Sequence, residues 1–296
     1  MIQHITHHPA QTAQANGLEL VYDTFGDPSA PPLLLVMGLG AQMIGWDEQF
    51  CKQLAAQGYW VIRFDNRDVG LSTKFKEAGL IDVMALIQGE VVEVPYLLSD
   101  MADDAVGLLD ALGIERAHVV GNSMGGMIVQ MMAINHSQRL RTLTSIMSTT
   151  ADPNLPRGTQ EALGILLRPS PTDKEGYLKH SLMVSRVFAG TYFDKVRALK
   201  RAERAYERGL SPDGSNRQSA AVIASGSYKE ALKGVSVPTL VIHGNADPVV
   251  PVEAGIDTAE SIPEAELLII EGMGHSLPIE KWPEIVGAIA RHAKAH

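Results

Sequence analysis

The chain has a single cysteine, no surplus of basic charge and no long apolar run, and each lack removes a class of protein. With Cys51 alone, no internal disulfide can form, and a reducing compartment suits the chain. Cys51 falls in a helical stretch without a motif around it and reads as an inert core thiol. Lys and Arg number 25 against 34 Asp and Glu, a net charge of −9. Phosphate binding needs a basic surface, so nucleic acid is not an expected partner. The longest apolar runs are far too short to span a bilayer, so no membrane partner is expected either. Residues 1–14 hold three histidines and no apolar segment, which is not the pattern of a secretory signal. A cytoplasmic location is expected. Internal repeats and low-complexity tracts are also missing.

What is present is the composition of a folded domain. The 296 residues are 45% hydrophobic and 20% charged, enough for one large α/β domain or such a domain with an inserted cap. Asn16-Gly17 separates two extended arms, residues 10–16 and 18–25, and predicts a tight hairpin. Residues 33–37 and 59–64 are continuous apolar runs of the kind buried in parallel sheets. Helices are predicted over 46–57 and over 99–112, the second with Ser99 as N-cap candidate and Gly113 just past its end. Further strands are predicted at 117–120, 142–147, 239–243 and 267–270, and helices at 124–136, 252–261 and 279–292. Strands alternating with helices at these lengths predict a parallel sheet covered on both faces.

The alternation stops between residues 151 and 236, where helices and loops are predicted without a convincing strand. The expected organisation is a core of residues 1–150 and 237–296 with a helical cap, 151–236, inserted in it. The cap holds 14 Lys/Arg and 9 Asp/Glu, a net of +5, and the remainder carries −14. A basic cap docking on an acidic core is the simpler reading; recruitment of anionic substrates is the alternative.

The motif around which the chain is organised is Gly121-Asn122-Ser123-Met124-Gly125, a G-x-S-x-G sequence between a predicted strand and a predicted helix. In that setting Ser123 is a candidate nucleophile at the apex of a strained turn. Glycines flank it because side chains there would collide with the adjoining strand and helix. The following helix presents free N–H groups and its positive dipole end to a developing oxyanion.

A serine hydroxyl needs a base to take its proton, and the base needs a third group to orient it. After an elbow serine the expected chain order is acid, then histidine. Asp247, in His243-Gly244-Asn245-Ala246-Asp247-Pro248, follows one late strand, and His275, in Gly272-Met273-Gly274-His275, follows the next. Parallel strands bring such loops to one edge of the sheet. Asp152 is the rival acid, and His243 is expected to brace the Asp247 loop. Two backbone N–H groups should form the oxyanion hole: that of Met124, and one from Gly38-Leu39-Gly40, assigned to Leu39. Met37, Met43, Met124, Met127 and Met273 lie near these motifs, either as an adaptable acyl pocket or as ordinary core.

Taken together, these residues resemble the α/β-hydrolase superfamily over almost the whole chain, and more closely bacterial esterases akin to aclacinomycin methylesterase. The matching features are Leu35-Val36-Met37-Gly38, Arg63-Phe64-Asp65-Asn66-Arg67-Asp68, the elbow, the Asp247 loop and the His275 loop. The resemblance implies an α/β-hydrolase fold with a mostly parallel sheet of about eight strands, a helical cap, no cofactor and no metal. It implies hydrolysis of a small-molecule carboxylic ester by a serine esterase. Many relatives have His-Gly where this chain has Met37-Gly38, and Arg-Gly where it has Arg67-Asp68. Both departures recur in the methylesterase-like group. Enzyme alternatives on the same three residues are a proline-iminopeptidase-like peptidase, a C–C bond hydrolase and a cofactor-free perhydrolase. A ligand receptor with little turnover is the alternative of another class. The natural ester stays open at this level.

Overall fold

A computed structural model describes residues 5–296. His4 and the first residues of the segment judged not to be a signal lie outside the described residues. Strands β1 (His7–Ala15) and β2 (Leu18–Phe25) form the predicted hairpin, with Asn16 and Gly17 at φ 49° and 75°. Positive φ at both central residues matches the twist of the two arms. β3 (Pro32–Val36), α1 (Glu48–Ala55) and β4 (Trp60–Phe64) follow. Next come a short helix α2 (Val83–Ile87), α3 (Leu98–Ala111), β5 (Ala117–Asn122), α4 (Met124–Asn135) and β6 (Leu140–Ile146). Helices α5 (Gln160–Leu166), α6 (Lys174–Phe188), α7 (Lys195–Arg208), α8 (Pro212–Ala224) and α9 (Lys229–Leu232) then run without a strand between them. β7 (Thr239–Gly244), α10 (Val252–Ser261), β8 (Glu266–Ile270) and α11 (Trp282–Ala295) close the chain.

The eight strands form one sheet in the order β1-β2-β4-β3-β5-β6-β7-β8. β1 and β2 are antiparallel to their neighbours, and the six strands from β4 to β8 in that order are parallel. The central strands β3, β4 and β5 are almost wholly buried because both faces are covered, whereas the edge strands β1 and β8 are largely exposed. Leu33 and Leu35 face α1 and α11, packing with Phe50, Leu54, Trp282 and Ile285. Leu34 and Val36 face α3 and α4, packing with Met101, Leu108 and Ile128. Winding reverses between β3 and β5, so a crevice opens beyond the carboxyl ends of these two central strands.

Two boundaries differ from the sequence reading in ways that have causes. α1 begins at Glu48, not near Trp46, because the Asp47 side chain accepts from the N–H of Gln49 and caps the helix there. α3 begins at Leu98, and Ser99 lies inside its first turn rather than capping it. The cap is tertiary: Ser225 Oγ accepts from Leu98 N at 3.0 Å, and Asp100 accepts from Leu97 N at 2.7 Å. Cys51 is fully buried in α1, and burial pushes its thiol up to about 12.

The basic stretch 151–236 meets the rest of the chain through ion pairs, of which one is buried on both sides. Arg217 of α8 makes a two-pronged contact with Asp68, 2.8 and 2.7 Å, with both side chains out of solvent. Arg208 of α7 lies 2.6 Å from buried Asp65, and Arg197 reaches Asp47 at 2.8 Å. Arg197, Arg208 and Arg217 thus pair with carboxylates from the rest of the chain.

Candidate active site

β5 runs straight into the elbow. Ser123 has φ 53° and ψ −125°, a backbone state that costs on the order of 1–3 kcal/mol in a non-glycine residue. Its surroundings hold it there. Ser123 N donates to Ile146 O at 2.9 Å, and Ser123 O accepts from Ser148 Oγ and Gly126 N, both at 2.8 Å. A Cβ on Gly121 would run into the carbonyl of Gly125, and one on Gly125 into that of Val36. The G-x-S-x-G spacing thus lets α4 start directly beneath the serine, against β3.

The loops after β7 and β8 meet Ser123 at the same edge. His275 Nε2 lies 2.9 Å from Ser123 Oγ, and His275 Nδ1 lies 2.7 Å from Asp247 Oδ2. The second carboxylate oxygen, Oδ1, accepts from the N–H groups of Val249 and Val250 at 2.8 and 2.9 Å. Those donors fix the carboxylate plane, so Asp247 receives a proton-bearing Nδ1 and leaves Nε2 of the neutral ring as the acceptor toward Ser123.

His243 is buried beneath this loop and donates from Nε2 to Val250 O at 2.8 Å. Burial pushes its imidazole down, so it stays neutral and braces the turn. Asp152 is elsewhere engaged, by Asn154 and by Lys229 Nζ at 2.9 Å. The backbone bond from Asn154 and the Lys229 ammonium hold its carboxyl below the usual range.

The loop after β3 packs over the serine, with Gly38 against Ser123 Cβ. Asn66 Nδ2 donates to Met37 O at 2.9 Å, and Gly40 N donates to Gln218 Oε1 at 2.8 Å. Between these two anchors the N–H of Leu39 donates to no acceptor among the described residues, nor does that of Met124 at the first position of α4. Such N–H groups are free for a ligand oxygen. Met124, Met127 and Met273 belong to the two cores that sandwich the sheet, so the methionines near the motifs are mostly packing.

Sequence reasoning did not find three residues that shape this edge. Gln218 of α8 bridges Gly40 N and Arg67 O, tying the loop after β3 to the helical segment. Phe188, at the end of α6, accepts from His275 N at 2.6 Å through its carbonyl and packs its ring edge-on to the imidazole, centroids 5.8 Å apart. Thr191 N donates to Gly272 O at 3.0 Å, so residues 188–191 form a short ladder along the His275 loop. Gly274 permits that approach, since a Cβ there would strike Phe188 O and the N–H of Gly190. Only Gly272 and Gly274 were visible as signals; their partner is a segment about 80 residues earlier in the chain.

A mostly parallel, doubly covered sheet, with a serine elbow after its central strand and an acid and a histidine on later strand-end loops, is the architecture of the α/β hydrolases. The chain belongs to that family, matching the alpha/beta hydrolase fold over residues 31–281. It is similar to the rhodomycin D methylesterase DauP of Streptomyces sp. (strain C5), 28% identical over 97% of this chain and 99% of that protein. It is also similar to a 2-hydroxymuconate semialdehyde hydrolase of Pseudomonas sp. (strain CF600), 31% identical over 65% of this chain and 68% of that one. Among solved structures, an esterase from Exiguobacterium antarcticum superposes with a TM-score of 0.77 at 18% identity, covering 97% of this chain and all of the other, a likeness of fold.

Proposed function

We propose that this protein is a serine esterase that cleaves carboxylic esters through an acyl-enzyme. The observation that carries the proposal is the unbroken line Ser123 Oγ, His275 Nε2, His275 Nδ1, Asp247 Oδ2, at 2.9 and 2.7 Å, with Ser123 in a strained elbow. Ser123 Oγ attacks the ester carbonyl while His275 Nε2 takes its proton. The tetrahedral oxyanion is held by the N–H groups of Met124 and Leu39. Asp247 stabilises the imidazolium, which then returns the proton to the departing alcohol. Water, deprotonated by the same imidazole, attacks the acyl-serine, and the free acid leaves with Ser123 restored. No cofactor or metal has a role in these steps.

In this reading residues 151–236 act as a cap, and its charge serves docking more than substrate recruitment. The match to methylesterases over both full lengths points to esters of small alcohols on bulkier acids. A lone cysteine, buried in α1, fits a cytoplasmic location. No helix among the described residues is long and apolar enough to cross a membrane. A second reading, C–C bond hydrolysis on the same three residues, draws on the similarity to a 2-hydroxymuconate semialdehyde hydrolase. A peptidase is disfavoured because Glu203 and Glu207 are both exposed, the latter beside Lys174, and form no amine-holding cluster. Turnover of p-nitrophenyl esters from acetate to decanoate, set against 2-hydroxymuconate semialdehyde, separates the two readings. The esterase predicts burst-free or burst-limited release of p-nitrophenol with a defined chain-length optimum; turnover confined to the semialdehyde would transfer the assignment to C–C cleavage.

The ladder along the His275 loop makes a separate prediction. Gly274→Ala should displace residues 188–191 and with them the imidazole. A misplacement of about 1 Å costs on the order of 100-fold in rate, so kcat should fall by about that factor with KM little changed. Reaction of Ser123 with a fluorophosphonate should slow in parallel. A variant that loses thermal stability but keeps kcat would show that the ladder does not position His275.

A further inference from the structure

At the opposite edge of the sheet from Ser123, the last turn of α11 meets the start of β8. His292, on the helix, is buried, and Glu266, at the first position of the strand, is exposed. His292 Nε2 donates to the carbonyl oxygen of Pro238 at 3.1 Å. That bond fixes the tautomer, so in the neutral ring Nδ1 carries a lone pair. Yet Nδ1 lies 3.0 Å from Glu266 Oε1. A lone pair facing a carboxylate oxygen is repulsive unless a positive species stands between them, either a proton or a metal ion.

A third donor converges on the same point. His296 follows His292 by one helical turn, their ring centroids are 5.2 Å apart, and one ligand atom from each of Glu266, His292 and His296 lies within 4.8 Å of the others. Zinc ligands at 2.0–2.2 Å in a tetrahedron stand roughly 3.3 Å apart, against separations of at most 4.8 Å here. His296 is the C-cap residue that ends α11, four after His292, and the two rings lie on the same side of the helix end. The carbonyl behind His292 is the kind of outer partner that orients metal-bound imidazoles.

We propose that Glu266, His292 and His296 bind one late first-row divalent cation, of which Zn²⁺ is the probe, stapling α11 to the edge strand β8. Two imidazoles and one carboxylate suit such a borderline ion better than Ca²⁺ or Mg²⁺, which take oxygen ligands. The fourth position would be filled by water from an adjoining cavity of about 270 Å³ that His296, His118, Arg141 and Lys294 help to line. Arg141 and Lys294 on the wall of that cavity lower the affinity for a cation. The staple is structural and leaves ester turnover unchanged, because it lies at the other ends of the strands.

The test is a titration of the EDTA-treated full chain with Zn²⁺ against a chromophoric chelator, repeated with Co²⁺ to read the visible bands of a tetrahedral ion. One equivalent should bind and raise the unfolding temperature. Glu266→Gln and His296→Ala, both at exposed positions, should each weaken binding by more than the roughly 10- to 100-fold that loss of an outer-shell partner costs. Absence of one-equivalent binding would mean that a proton joins His292 to Glu266 and would overturn the proposal. Wild-type affinity in either variant would do the same, by removing that ligand. The serine chemistry is read separately by ester turnover, so the two proposals stand or fall independently.

Discussion

Ser123→Ala is expected to lower kcat on p-nitrophenyl acetate by on the order of 10⁶, leaving only what the two backbone N–H groups contribute. The size of the loss follows from the chemistry: with no nucleophile, the imidazole and the oxyanion donors have no covalent step to assist. The fold should survive, because Ser123 is held by its backbone bonds to Ile146, Ser148 and Gly126, none of which uses the hydroxyl. Alanine adds no atom at a φ that serine already occupies. Binding of substrate should change little, so the loss appears in kcat rather than KM. Equal rates in both proteins would mean that another residue attacks the ester.

The second large effect is on stability. Arg217 and Asp68 are both out of solvent, Asp68 also accepts from Tyr96 at 2.7 Å, and the pair joins α8 to the loop after β4. Arg217→Ala leaves a buried carboxylate without its partner, a loss of about 3–5 kcal/mol. For a chain of this size that corresponds to a fall in Tm on the order of 10 °C. The pair itself is not worth that much, since burying two charges costs nearly what their attraction returns. Arg217→Met combined with Asp68→Asn removes both charges, keeps an acceptor for Tyr96 O–H and Phe75 N–H and suits the φ of 69° at that position. It should therefore recover part of the Tm, and differential scanning calorimetry of the three proteins reads the difference. A single variant that melts within about 2 °C of wild type would show that water reaches Asp68 and that the docking is not dry.

These two predictions also mark what a sequence of this kind discloses. The elbow was legible because its signal is local: Gly121, Ser123 and Gly125 lie within five residues, although of the collisions that demand glycine one is with the start of α4 and the other with the neighbouring strand β3. Asp247 and His275 were legible because each follows a strand whose apolar run is evident, and parallel strands carry their loops to one edge. The sheet order was only partly legible. Runs of leucine and valine identify buried strands but do not say that β4 lies between β2 and β3. Contacts between distant segments left almost no trace. Ser225 caps α3 from 127 residues away, Gln218 reaches Gly40 across 178, and Arg217 reaches Asp68 across 149. Charge counting showed 151–236 to be basic and could not name the pairs its arginines make. Phe188 looked like any helix-end aromatic, and only the fold sets it against His275.

The central claim is that Ser123 is the nucleophile and is activated in the folded protein. Intact-mass and peptide mapping after brief treatment with a fluorophosphonate tests it most directly, because the reagent phosphonylates only a serine whose proton is being removed. The account predicts one adduct per chain, on the peptide that carries Ser123, and none after substitution of His275 by alanine. A stoichiometric adduct on a different residue, or an unmodified chain that still hydrolyses esters, would contradict it.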